Sequence, residues 1–266
     1  MDYVHGFTPR EHERLHDQAD TLHELLHHDT RYPPGSLVLE VGCGVGAQTV
    51  HLAENSPGAR FVSVDLSARS LHQARRLLEA SPAANVRFCR ADLFHLPFPE
   101  ERFDHVFVCF VLEHQREPLR ALRALRGMLR KGGSMTVIEG DHGSCYFHPE
   151  TEAALRAWRC LILVQASLEA DSTIGRRLYP LMKEAGIGRL EVTPREVYCD
   201  ESRPHWMDGF VKRTIIPMVE GVREQALAMK LIDEATWDQG IRDLHATGTG
   251  PQGTFCYTFF KGVGVK

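Results

Sequence analysis

Leu37-Val38-Leu39-Glu40-Val41-Gly42-Cys43-Gly44-Val45-Gly46 decides how the rest of the chain is read. A short apolar run carries one acid and gives way to three glycines at alternate positions, and helix-like sequence follows from Ala47 to Glu54. That order predicts a buried strand, a tight turn and a helix start. Glycine adopts backbone dihedrals closed to other residues and lets a ligand approach the main chain. The unpaired N–H groups at the start of the following helix point toward that ligand. The stretch therefore predicts a nucleotide-like cofactor beside residues 42–46.

Working outward, the pattern predicts strands at 37–42, 60–65, 86–90, 103–109 and 134–139, and helices at 47–55, 67–80 and 117–130. Strand and helix alternating with short turns give right-handed crossovers and a parallel sheet covered by helices on both faces. Upstream, Thr8 to Asp29 reads as an amphipathic helix with Leu15, Ala19, Leu22, Leu25 and Leu26 on one face. Thr8 is its expected cap, Pro9 suits its first turn, and Glu11 takes the capping-box place. Tyr32-Pro33-Pro34-Gly35 stops it. Beyond residue 140 helices are expected at 149–169 and 173–185, a strand near 189–198, a mostly helical segment at 203–246 closed by Gly248-Thr249-Gly250-Pro251, and a strand-like run from Thr254 to Phe260. The expected organisation is one domain over 1–266. It has a helical arm at 1–35, a core at 36–141, 186–199 and 253–266, and insertions at 142–185 and 200–252. Insertions placed like these commonly cover a ligand site.

Composition narrows the classes. The 266 residues are 43% hydrophobic and 25% charged, with a net charge of −4. A nucleic-acid binder carries a basic surplus, and this chain has none. Arg75-Arg76 and the arginines between 116 and 130 are read as solvated helix faces. Of the seven cysteines, at 43, 89, 109, 145, 160, 199 and 256, none forms a C-x-x-C pair. Cys43, Cys89, Cys109 and Cys256 fall in or beside strands, where a free thiol acts as a small apolar group. An odd number without metal spacing indicates a reducing compartment, and the expected location is the cytoplasm. Met1 to Asp20 is polar and lacks a signal-peptide core. No apolar run nears the roughly 18 residues of a membrane span, so no membrane partner is expected.

Further polar residues fall at the ends of the predicted strands. Asp65 closes Phe61-Val62-Ser63-Val64-Asp65, about 20 residues beyond the glycines, where an acid can accept both ribose hydroxyls. Asp92 follows the third strand in Arg90-Ala91-Asp92-Leu93 and can accept from an adenine amino group. The run Phe103 to Cys109 leads into Phe110-Val111-Leu112-Glu113-His114, and Leu129-Arg130-Lys131-Gly132-Gly133 turns into the fifth strand. Open α/β sheets bind ligands at these carboxyl ends. Each residue also has a plain structural alternative: a bare strand–helix turn for the glycines, a helix cap for Asp65, a turn residue for Asp92. Glu40 has no obvious partner in sequence, and a buried carboxylate needs compensation, so a place near a positive charge suits it.

In this order the segments resemble a class I S-adenosylmethionine-dependent methyltransferase, of the small-molecule type that includes the ubiquinone/menaquinone methyltransferases. The resemblance covers roughly residues 37–140, with weaker support at 174–198 and 254–263. It implies an α/β, Rossmann-like, doubly wound seven-stranded sheet with the last strand antiparallel, plus helical lid insertions. The implied cofactor is S-adenosylmethionine, leaving as S-adenosylhomocysteine. It would be held by Glu40, Gly42, Cys43, Gly44 and Gly46 of the first motif, by Asp65 and Leu66 at the ribose, by Asp92 and Leu93 at the adenine, and by Phe110. Tyr3, His5 and Gln18 of the arm would close over the methionine end. The whole-chain pattern is also similar to actinobacterial natural-product methyltransferases, including indole C3-methyltransferases acting on tryptophan-derived diketopiperazines.

Methyl transfer to N, O or an aromatic carbon needs an acceptor held in line with the methyl–sulfur bond, and a base where a proton leaves. His142 is the first candidate because its ordinary pKa suits proton uptake near neutrality. Asp141 could orient it or act itself, and Glu113 and His5 complete the set. Tyr146, Phe147, His148, Tyr179, Trp206 and Phe210 are candidates for an aromatic acceptor pocket. Histidines 12, 16, 23 and 27 include i, i+4 pairs but no H-E-x-x-H, so they read as a solvated face, and no metal is expected. The expected partner is a small organic acceptor rather than nucleic acid, and a homodimer is compatible with the sequence. Two other readings are weighed. Gly42-x-Gly44-x-x-Ala47 and Tyr179-Pro-Leu-Met-Lys183 mimic an NAD(P)-dependent oxidoreductase, but Glu40 stands where that turn needs its first glycine. The other is a non-catalytic scaffold subunit with a methyltransferase-like fold.

Overall fold

The computed structural model describes residues 9–79, 81, 83 and 85–266, with the backbone alone at Pro9 and His12. Tyr3, His5 and the expected Thr8 cap lie outside the described residues. The chain forms two compact units. One comprises the described residues up to Leu22, Asp141–Thr173 and Glu196–Thr258; the other comprises His23–Gly140, Ile174–Arg195 and Phe259–Lys266.

The described residues form a seven-stranded sheet in the order β3-β2-β1-β4-β5-β7-β6. Its elements are β1 (Leu37–Val41), β2 (Arg60–Asp65), β3 (Val86–Arg90), β4 (Phe103–Cys109), β5 (Leu129–His148), β6 (Gly188–Cys199) and β7 (Thr254–Val265). β1 pairs in parallel with β2 and β4, β2 with β3, and β4 with β5. β7 runs the other way. Lys266, just past its end, exchanges backbone hydrogen bonds with Gly132 and Gly133 near the start of β5, whereas Thr258 meets Ser144 further along β5. The helices linking the parallel strands are α2 (Ala47–Asn55), α3 (Ala68–Glu79) and α4 (Pro118–Met128). Each turns small and aliphatic residues inward: Leu52 and Ala53, Leu71 and Ala74, and Ala121, Leu122 and Leu125. Those of α4 share a buried core with Leu39, Val41, Val64, Val106, Val108 and Val137. Each such side chain contributes roughly 1.5–3 kcal/mol on burial.

Helix α1 (Pro9–His27) precedes the sheet, and α5 (Glu152–Ser167), α6 (Leu178–Glu184), α7 (Pro204–Trp206), α8 (Ile216–Glu220), α9 (Arg223–Ala228) and α10 (Glu234–Thr249) follow β5 and β6. Thr151 caps α5 and Asp233 caps α10, and Thr151 also donates to Asp243 of α10 at 2.6 Å. In the same unit Phe210, Phe255, Tyr257, Trp158 and Phe147 make an aromatic cluster.

Several expectations are revised. The fifth strand starts at Leu129 and runs to His148, not 134–139. The Lys131-Gly132-Gly133 turn is a bulge within it: Phe103 pairs with Leu129 but His105 with Ser134, and Gly132 takes φ +76 to absorb the extra residues. The segment 173–185 opens as a 3-10 turn (Ile174–Arg177) before α6. Within 203–246 a π-helix, Met207–Ile215, separates α7 from α8, and Thr214 Oγ1 donates to the Gly209 carbonyl there.

Candidate active site

Gly42, Gly44 and Gly46 all lie in the left-handed region, at φ +72, +52 and +83. The turn is held by Val64, whose carbonyl accepts from the N–H groups of Gly42 (2.8 Å) and Cys43 (3.1 Å). A side chain at Gly42 would stand 2.4 Å from Val111 Cγ2, whereas one at Gly44 would meet nothing within 4 Å. Gly44 thus presents bare backbone to open space, which is what a cofactor lying against the main chain requires.

Asp65 stands beside that turn. Its Oδ2 accepts from the Gly44 N–H at 2.9 Å and its Oδ1 from the Ser67 N–H at 2.8 Å. Burial pushes its carboxyl up against the pull of these bonds. The cap of α3 is Ser67, whose Oγ accepts from the Ser70 N–H, so Asp65 is not that cap. Beyond its backbone N–H partners, the carboxylate keeps lone-pair capacity for a ribose hydroxyl.

Glu40 has partners after all. Its Oε2 accepts from Ser63 Oγ (2.6 Å) on the paired strand and from Thr49 Oγ1 (2.8 Å) on α2. Burial pushes its carboxyl up to about 7. A serine inside the apolar run of β2 was the signal that could have found this pair.

Asp92 is spent on its own turn: Oδ1 accepts from the Phe94 N–H at 2.9 Å and Oδ2 lies 3.0 Å from His95 Nδ1. The Phe94 bond, with His95, holds its carboxyl below the usual range. Leu93 packs against the core, while Leu66 is exposed. Phe110 bends left-handed at φ +56, its ring 5.4 Å from that of Phe259.

Midway along β5, Glu139 is fully buried, and its Oε1 accepts from the N–H groups of Val111 (3.0 Å) and Leu112 (2.7 Å). Burial, then the neighbouring Glu113, push its carboxyl well up. Glu113 lies in the 3-10 turn Leu112–His114, 3.5 Å from His114 Nε2.

His142 and Asp141 are buried in the other unit. His142 Nδ1 lies 2.7 Å from the Tyr257 hydroxyl, and its carbonyl accepts from Trp158 Nε1 at 2.9 Å. Asp141 Oδ1 accepts from the Gly143 N–H at 2.9 Å. In the same unit, Gln18 Oε1 accepts from Arg14 Nη1 at 3.1 Å, and Arg14 forms a fork with the Glu11 carboxylate at 2.6 and 2.7 Å. Glu11 is thus engaged with a side chain. Of the expected aromatic pocket, Phe147 and Phe210 join the aromatic cluster, but Tyr146 and Tyr179 are exposed and Trp206 lies against the Arg203 guanidinium. Trp158, Phe255 and Tyr257 were missed.

His23 and His27 of α1 are not part of a solvated face. His27 is completely buried, its Nε2 2.6 Å from Gln48 Oε1, and burial drives its pKa down to about 3. His23 stacks on His51 at 4.2 Å. Among the described residues no group of three or more His, Cys, Asp or Glu side chains is arranged to hold a metal ion. All seven cysteines are free thiols.

Sheet order and glycine turn together define the class I methyltransferase fold. Residues 39–137 match the family model described as a methyltransferase domain. The ubiquinone/menaquinone biosynthesis C-methyltransferase UbiE of Ectopseudomonas mendocina is 36% identical over 108 residues, 40% of this chain and 42% of that one. A putative methyltransferase from Bacillus halodurans shares the fold at TM-score 0.56 and 16% identity, over 93% of this chain and 98% of its own. So does phosphoethanolamine N-methyltransferase 2 of Haemonchus contortus, solved with phosphomonomethylethanolamine and S-adenosylhomocysteine, at TM-score 0.55 and 16% identity over 94% and 53%. The chain spans less than half the length of the first curated relatives it matches. The chain thus carries the class I methyltransferase fold, and its residues 39–137 are similar to a methyltransferase domain.

Proposed function

We propose that this chain transfers a methyl group from S-adenosylmethionine to N, O or an aromatic carbon, such as indole C3, of a small organic acceptor. The observation that carries the reading is the bare, left-handed backbone at Gly44, bonded to the Asp65 carboxylate and facing open space. When bound, the cofactor supplies an electrophilic methyl on a sulfonium. Asp65 accepts the ribose hydroxyls through its spare lone pairs, with Leu66 alongside. Asp92 and Leu93 flank the adenine, Asp92 through whatever capacity its turn leaves. Glu40, Gly42, Cys43, Gly44, Gly46 and Phe110 shape the rest of the cofactor's bed, and Gln18 serves its methionine end, with Tyr3 and His5 assigned by resemblance alone. The buried carboxyl of Glu40 suits a ligand whose reacting end is positive.

His142 takes up the acceptor's proton where one is released, oriented by the Tyr257 hydroxyl, with Asp141 and Glu113 as the other candidate bases. The insertions 142–185 and 200–252 select the acceptor. Among the described residues no helix is long and apolar enough to cross a membrane, and we assign the reaction to the cytoplasm.

Calorimetry with S-adenosylhomocysteine, followed by turnover of methyl-labelled cofactor against indole, phenol and amine acceptors, tests the reading. Binding with label transfer to one class is expected. Binding of NADH in place of S-adenosylhomocysteine would overturn it.

A further inference from the structure

Three successive amides after β4 are held by two residues of β5. The Phe110 N–H donates to the Ile138 carbonyl at 2.9 Å, and the Val111 and Leu112 N–H groups both donate to Glu139 Oε1. The last two open a 3-10 turn, where no earlier turn offers them a carbonyl. A bulky residue in the left-handed region, as Phe110 is, persists only when its surroundings enforce it. Val111 then reaches the glycine turn itself, its Cγ2 within 2.4 Å of where a Cβ on Gly42 would stand. A continuous chain of contacts runs from Glu139 through Val111 to Gly42.

We propose that Glu139 is a positioning residue: by clamping the Val111 and Leu112 amides it sets the gap between the strand-4 loop and the glycine turn, and so the affinity for the adenosyl cofactor. Glu139 is fully buried and acts through the loop. The inference rests on the cofactor reading above. One oxygen makes both bonds, and Oε2 has no hydrogen-bond partner among the described residues. A single acceptor oxygen does the work, and burial next to Glu113 pushes the carboxyl toward its neutral form, which keeps that oxygen. A glutamine carbonyl can replace it.

The test uses the full chain, S-adenosylhomocysteine calorimetry, thermal melting and amide hydrogen exchange at Val111 and Leu112. Glu139→Gln is expected to bind within about threefold of the parent with both amides protected, while Glu139→Ala loses their protection and at least about tenfold in affinity. Glu139→Ala binding like the parent, or Glu139→Gln as weak as Glu139→Ala, overturns the proposal. If Glu139→Ala does not fold, Val111→Ala carries the test: affinity falls by a similar factor, and unchanged affinity sinks the idea. If the parent itself binds no S-adenosylhomocysteine, the cofactor reading fails, and the amide protection of the Glu139 variants still decides whether the clamp exists.

Discussion

The Gly44 N–H donates to Asp65 Oδ2 at 2.9 Å, so the glycine turn and the end of β2 hold one another in place. The same carboxylate fixes the entry to α3 through the Ser67 N–H. A ligand that reads the ribose position therefore reads a group already fixed in orientation.

Asp65→Ala should weaken S-adenosylhomocysteine binding by about 10- to 100-fold, the range for losing hydrogen bonds to a charged group. Asp65→Asn, which keeps one acceptor oxygen, should lose less. Calorimetry decides, and equal affinity in Asp65→Ala would remove Asp65 from the ribose.

Gly44→Ala and Gly42→Ala should fail in different ways. At Gly44 the added methyl meets no protein atom, so stability drops only by the left-handed backbone cost of about 1–2 kcal/mol. Cofactor affinity should drop further, because the methyl occupies ligand space. At Gly42 the methyl strikes Val111, and the melting temperature should suffer first. The comparison needs melting curves and cofactor titrations on both variants.

Glu40 gives stability a pH dependence of known sign. Its folded pKa of about 7 lies above the ordinary value of 4.5. The unfolded chain therefore releases this proton first, and stability falls as pH rises from about 4.5 to about 7, by roughly 3 kcal/mol in all. Glu40→Gln, which keeps an acceptor for Ser63 and Thr49, should remove that part of the slope. Urea midpoints at pH 5 and pH 8 for both proteins check it.

His27 acts at the acid end. Its folded pKa of about 3 lies below 6.5, so its contribution is whole above about 6.5 and is lost as pH falls toward 3. Acid unfolding of His27→Leu should begin at lower pH than that of the parent, even if Leu costs stability at neutral pH through the lost Gln48 bond. An unfolding profile unmoved by the substitution would show that His27 titrates normally.

For the proposed base, His142→Ala should slow turnover while leaving S-adenosylhomocysteine affinity within about twofold. Tyr257→Phe, which deletes the hydroxyl beside Nδ1, should lower kcat by a smaller factor. Full activity in His142→Ala would pass the role to Asp141 or Glu113.

Much of the sheet could be read directly because its signals are local. The glycines at 42, 44 and 46 announced their left-handed turn, and the apolar runs at 60–65, 86–90 and 103–109 are strands with those very bounds. What stayed hidden depends on contacts far apart in sequence. Glu40 is satisfied by a serine 23 positions away, and His142 meets Tyr257 across 115 positions. His27 was misread because its i, i+4 spacing with His23 suggested an exposed stripe, while the neighbouring Leu22 and Leu26 turn this part of α1 inward. The bulge in β5 was read as a turn because a Lys-Gly-Gly run cannot, by composition alone, say whether the chain reverses or only kinks.

Cys43 stands between two of the turn glycines, and burial, with Glu40 and Asp65 nearby, pushes its thiol well up. Alkylating reagents need a thiolate and a path to it. The folded turn denies both, so each Cys43 that becomes labelled records one excursion of that turn out of its native shape. The chain thus carries its own counter of such excursions, readable by mass spectrometry of a single peptide and slowed by any ligand that braces the turn.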